Sequence, residues 1–170
     1  MNKLVKVLSL TAIIAFTGFQ AFSQAKFAHI NSNELLSVMP EIKQADKKLQ
    51  DYGTQLDAQL RTMTGEYQNK VSEFQNKEAL MADAVKKAKI QEIGDLENRI
   101  SEFQQTAQQS IVTKREELYA PVLDKAQTAI QEIAKEKSYS YVFDTSTGTI
   151  LFAQDSDNIL PLVKAKMGLK

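Results

Sequence analysis

From Pro40 onward the apolar positions keep helical time. Ile42, Ala45, Leu49, Tyr52, Leu56, Leu60, Met63, Tyr67, Val71 and Phe74 follow one another at three or four residues. That spacing draws one stripe on an α-helix, with a mean step of about 3.6 residues. Around residues 76–83 the pattern loses phase, and Asp83 is placed to cap a new helix. A second stripe then runs through Ile93, Leu96, Ile100, Phe103, Ala107, Ile111, Leu118, Val122, Ala126, Ala129 and Ile133, broken only at Arg115. Two stripes across a short polar break predict an antiparallel helical hairpin. Residues 40–76 and 84–120 are equally long, giving arms of about 55 Å at 1.5 Å per residue. Pro121 should mark a kink or joint at residues 119–121, because proline removes a helical hydrogen bond and crowds the preceding turn.

The ends of the chain read differently. Residues 26–30, KFAHI, predict a short strand. Asn31 with Glu34 three residues later resembles a capping box opening a short helix through Val38. Met39-Pro40-Glu41 restarts the chain, with proline in the first turn and an acid at the positive helix end. Beyond Lys137 the composition becomes aromatic and β-branched. Residues 139–143 and 149–153 predict a β-hairpin around DTSTG, with Gly148 available for positive φ. A last short helix begins near Pro161 and stops at Gly168, with Asp157 or Asn158 as its cap. The expected fold is α+β and mostly α: a long helical-hairpin arm on a small β body. Residues 24–39 and 121–170 build the body, and residues 40–120 build the arm. An isolated hairpin is marginal in water, so association with further strands is the natural remedy.

Composition adds where the chain works. Residues 1–23 place two lysines before an apolar run and small residues, the order of a secretory signal peptide, with a cut expected at Ser23–Gln24. The run is shorter than the roughly 20 residues of a membrane span. The chain has no Cys, which excludes lipid attachment at cysteine. Lys and Arg number 21 against 21 Asp and Glu; without Lys3 and Lys6 the balance is 19 to 21, a net −2. That leaves no electrostatic footprint for nucleic acid.

Candidate chemistry is sparse. The only His, His29, reads as a strand residue. No nucleophile motif, zinc motif or phosphate loop occurs, and Asp155 and Asp157 read as caps, so neither catalytic, metal nor cofactor residues are expected. Met63, Tyr67, Phe74 and Phe103 allow two readings: the seam between the arms, or a greasy contact surface for a partner. Gly53, Gly65 and Gly94 each cost a helix about 1 kcal/mol relative to Ala. Arms that bend would use them, and neutral drift at exposed positions explains them equally. Near the tip, Lys77, Lys86, Lys87 and Lys89 outnumber Glu78 and Asp83. They form either a solvated turn or a positive contact for an anionic membrane or lipopolysaccharide.

Together, KFAHINSNELLSVMPE, a long helical hairpin and LYAPVLDKAQTAIQEIAKEKSYSYVFDTSTGTILFAQDSDN resemble the Skp/OmpH family of periplasmic chaperones across residues 25–170. Val142, Phe143 and Asp144 stand where the family has an apolar strand ending in Asp, and Phe152-Ala153 where an aromatic-Ala pair is usual. The resemblance implies a homotrimer whose β body would gather Phe27, Ile30, Tyr141, Phe143, Ile150 and Phe152, with the arms hanging from it as tentacles. It implies an ATP-independent holdase that encloses unfolded outer-membrane proteins before insertion, without cofactor, through diffuse contacts. Contact with the outer-membrane assembly machinery is left open. The residues themselves also fit a structural coiled-coil spacer or adaptor of the envelope.

Overall fold

A computed structural model describes residues 25–169 of the chain. The proposed signal peptide lies outside the described residues. The element order is strand β1 (Phe27–Ile30), helix α1 (Ser32–Val38), helix α2 (Pro40–Lys77), a 3₁₀ turn (Glu78–Leu80) and helix α3 (Asp83–Glu136). Strand β2 (Tyr141–Asp144), a 3₁₀ turn (Asp155–Asp157) and helix α4 (Leu160–Lys166) complete it.

Two helix starts form as their residues dictate. Asn31 caps α1, its side-chain oxygen accepting the Glu34 amide at 3.1 Å, as a capping residue should. Met39 is extended (ψ 123°) and Pro40 opens α2, where its missing N–H costs nothing. At the far end of α2 the 3₁₀ turn and two further residues reverse the chain. Asp83 is the first helical residue of α3, and the cap is Ala82, without a side-chain bond. The carboxylate nevertheless stands at the positive helix end, which is favourable without a cap.

The helix is continuous through Pro121, so the joint expected there is not a break. On the C-terminal side of that proline, Val122, Ala126, Ala129 and Ile133 are all buried in one core. Packing four residues of one stripe outweighs the local cost of proline. α3 therefore belongs to both regions: its first part is the returning arm and its last four turns are the main wall of the body.

The body closes the two ends of the chain on each other. β1 and β2 pair in parallel, with Phe27 opposite Tyr141 and Ile30 opposite Asp144. Parallel strands need a long crossover, and here the crossover is the entire helical arm. Ala28 and Ile30 on β1 meet Leu35, Met39, the α3 stripe, Ile159, Leu160 and Val163 in a single cluster. Asn158 holds the start of α4, its side-chain oxygen accepting the Leu160 amide at 2.9 Å. Gly168, with φ 69°, ends the segment.

The predicted β-hairpin is corrected. Residues 149–153 form no strand, and β2 pairs with β1 instead of with them. The carboxylate of Asp144 explains why. One oxygen accepts the Ser32 amide at 3.2 Å and the Ser146 amide at 2.9 Å; the other accepts the Ser32 hydroxyl at 2.5 Å. Thr145 donates its amide to the Ile30 carbonyl at 2.9 Å. These bonds turn the chain onto the start of α1, away from the free edge of β2. Gly148, at φ 71°, sits in that turn as expected.

Candidate functional site

Three surfaces carry the sequence-predicted residues: the arm, its tip and the open face of the body. Along the arm α2 and α3 lie side by side, yet almost nothing is sealed between them. Beyond the root residue Ala45, only Leu96 is buried there, at 3 % exposure. Met63, Tyr67, Phe74 and Phe103 are all half-buried, the condition of residues in a seam only two helices wide. Met63, Tyr67 and Phe74 lie on α2 and Phe103 on α3.

Polar links hold the arms together where apolar burial is thin. Near the root Lys125 pairs with Glu41, and the Tyr119 hydroxyl donates to Asp46. Farther out Lys114 stands 5.9 Å above the Tyr52 ring. Near Leu96, Lys70 bridges to Glu92 across the arms, while Lys89 reaches the other Glu92 oxygen at 3.1 Å. The hydrogen bond from Lys125 holds the Glu41 carboxyl below its ordinary range, and those from Lys70 and Lys89 do the same for Glu92. The Tyr119 hydroxyl is pushed up by its bond to Asp46. The sequence shows these residue types, but their partners follow only once the register between the arms is known.

At the tip the four lysines separate into two kinds. Lys77 bridges to Glu73 at 3.0 Å and Lys89 to Glu92. Among the described residues Lys86 and Lys87 have no ion pair, and Lys87 is exposed. Leu80, in the turn itself, is 89 % exposed.

The body has one closed face and one open face, because side chains alternate along a strand. Ile30 points to the closed side and belongs to the chain's own core, unlike the other residues named for the body. Phe27, Tyr141 and Phe143 share the open side. Phe27 and Tyr141 stack with ring centres 5.8 Å apart, and Phe143 lies 6.2 Å from Phe27 and 6.3 Å from Tyr141. Each ring keeps two-fifths or more of its surface in contact with solvent. Next to them Ile150 is half-buried, while Leu151 and Phe152 are 95 % and 82 % exposed. Phe27, His29, Phe143, Ile150 and Phe152 help line an open concavity of about 330 Å³. His29 sits there as a strand residue, its Nε2 3.0 Å from the Gln154 carbonyl oxygen. The sequence reading missed the Leu151 exposure and the Asp144 lock; a TST turn after Asp144, with serine opening α1, was the available signal for the lock.

Among the described residues no group of three or more His, Cys, Asp or Glu is placed to hold a metal, and no helix is long and apolar enough to cross a membrane. The arrangement offers surfaces for binding and association.

Comparison with known proteins agrees with this architecture. A profile of the family described as outer membrane protein (OmpH-like) matches residues 26–167. The Chaperone protein Skp of Vibrio cholerae serotype O1 is 24 % identical over 151 residues, covering 86 % of this chain and 89 % of its own length. A crystal structure of a candidate OmpH-like outer membrane chaperone from Caulobacter crescentus CB15 superposes with a TM-score of 0.74. It shares 16 % identity, and the match covers 88 % of each chain, which speaks for the fold.

Proposed function

This chain belongs to the OmpH-like family of outer membrane proteins, and from that premise we propose that it is an ATP-independent periplasmic holdase. It associates as a homotrimer, encloses unfolded outer-membrane proteins between its arms and keeps them from aggregating before insertion. The observation that carries this reading is the division of burial. Eleven of the thirteen buried apolar residues form the body core, and the arm beyond its root seals only Leu96. A thin two-helix arm presents much surface per residue and bends at little cost, which suits weak, repeated contacts with clients of no fixed shape. A spacer has no use for an open aromatic face on the body. Three exposed rings beside Leu151 and Phe152 are an unusual concentration of apolar surface for a monomer, and its natural cover is further copies of the same body. The half-buried arm residues Met63, Tyr67, Phe74 and Phe103 serve mainly the seam and offer their outer edges to clients. Lys86 and Lys87, with the exposed Leu80 of the tip turn, are the tip residues suited to an anionic surface.

The test is dilution of a urea-denatured β-barrel protein into buffer, followed by light scattering. Three chains per client should suppress aggregation without nucleotide; unchanged scattering at that ratio defeats the holdase reading and leaves the spacer. Sedimentation at micromolar concentration should give three times the chain mass, and a monomer defeats the trimer alone.

A further inference from the structure

One stretch of the arm is polar but almost without charge. A quarter of the whole chain is ionisable, yet between Ile100 and Thr113 only Glu102 is. The same span holds Gln104, Gln105, Gln108 and Gln109, all exposed. They make two neighbouring i,i+4 rows on the surface of α3. The hydroxyls among them are turned back on the helix: Thr106 donates to the Glu102 carbonyl at 2.8 Å and Ser110 to the Thr106 carbonyl at 2.7 Å. No hydrogen-bond partner for any of the four glutamine amides occurs among the described residues. Gln105, Thr106, Gln108, Gln109 and the half-exposed Val112 line an open depression of about 550 Å³.

We infer that this glutamine ladder is a docking surface for an extended segment of unfolded polypeptide, recognised through its backbone. The inference rests on the reading that the arms receive unfolded chains, and names where and how one is held. A primary amide carries a donor and an acceptor, as a peptide group does. Side chains at i and i+4 stand about 6 Å apart along a helix. Peptide groups facing one side of an extended strand repeat about every 6.7 Å. Gln104 with Gln108, and Gln105 with Gln109, therefore meet successive backbone groups of one strand edge. Such an edge is a row of unpaired N–H and C=O groups whatever the sequence. The missing charges matter as much as the amides, because an uncharged platform neither selects nor repels a client by its own charge. Exchanging bonds to water for bonds to amides is nearly balanced, so the grip is weak and reversible. A charged partner would find only the Glu102 carboxylate here, and a membrane would find no apolar face beyond Val112.

The experiment uses the chain without residues 1–23 and a variant with all four glutamines changed to alanine. Alanine favours helix, so the arm should fold, and circular dichroism checks it. Each protein is titrated with a denatured, fluorescently labelled β-barrel protein. Two competitors are then added: an uncharged extended peptide, and its twin N-methylated at alternate residues, which has lost half of its donors. The wild type should bind the barrel about tenfold more tightly than the variant, with little change in 0.5 M salt. The plain peptide should displace the barrel at a concentration about tenfold lower than its methylated twin. Equal affinity of variant and wild type, equal competition by the two peptides, or no competition by either overturns the ladder. A wild type that neither binds the barrel nor keeps it soluble defeats the holdase reading instead, so the two failures are distinguishable.

Discussion

The body and the arm hold together by different means. In the body, Leu35, Met39, Ile159 and Val163 are fully enclosed by parts of the chain more than a hundred residues apart. In the arm, two long antiparallel helices meet through half-buried apolar residues, with charged links at intervals. Burial is the dominant favourable term in folding, so stability is concentrated in the body. The body anchors the arm at its root, where the first long helix begins and the second ends. A molecule divided in this way can yield at its arms without risking its fold.

The largest expected effect attacks that division directly. Leu35→Ala empties a site of 0 % exposure in the body and should cost about 2–5 kcal/mol, lowering the urea midpoint of the whole chain. Leu96→Ala removes an equally large side chain at 3 % exposure in the arm. Its neighbours are thin and free to collapse, so the loss should be at the low end of that range. It should show mainly as faster amide exchange over the outer arm, with the body unchanged. If Leu96→Ala lowers the midpoint as much as Leu35→Ala, arm and body are one cooperative unit and the comparison fails.

The arm was also the more legible region in the sequence. A stripe repeated through ten turns needs no partner to be read, and Pro40, Asn31 and Gly168 act where they stand. The β body was harder because its bonds are long-range. Residues 149–153 have strand composition, but their pairing was decided by Asp144, which spends its acceptors on Ser32, 112 positions away in sequence. Pro121 stands inside a continuous helix for the same reason, since the core that holds Val122 and Ala126 is not visible in the local pattern. Among the proposed site residues, Phe27, Tyr141 and Phe143 fall on one face because of a parallel register that no local pattern specifies. Ile30, three positions along the strand from Phe27 and so on the opposite face, goes to the core.

Glycine sharpens the comparison from the opposite direction. A Cβ built at Gly65 or Gly94 meets nothing within 4 Å, so neither glycine is required by packing. Gly65→Ala and Gly94→Ala should each stabilise the arm by about 1 kcal/mol. Amide exchange around residues 60–100 should slow by roughly fivefold per substitution, with the body's midpoint hardly moved. The double variant tests what the softness is for. If a stiffened arm holds a large denatured β-barrel as well as the wild type does, flexibility at these positions is incidental.

The smallest effect separates the two regions by acid. Hydrogen bonds from Lys70 and Lys89 hold the Glu92 carboxyl low in the arm. In the body, burial raises the Asp144 carboxyl, but hydrogen bonds from Ser32 and Ser146 outweigh it and leave it below its ordinary value. A carboxyl depressed on folding adds stability that is fully present above its unfolded value, near 4, and is lost as pH falls through the folded one. Both regions should therefore weaken below about pH 4. Salt distinguishes them. The partners of Glu92 are charged and only half-buried, so 0.5 M salt screens that link. The donors to Asp144 are neutral amides and a hydroxyl, which salt leaves alone. In low salt, acid should speed exchange in the arm and lower the body's midpoint together. In high salt the arm's dependence should flatten while the body's remains, and Asp144→Asn should remove the latter. An arm whose acid response survives high salt is held by something other than its charged links, and the contrast between a packed body and a pinned arm would have to be redrawn.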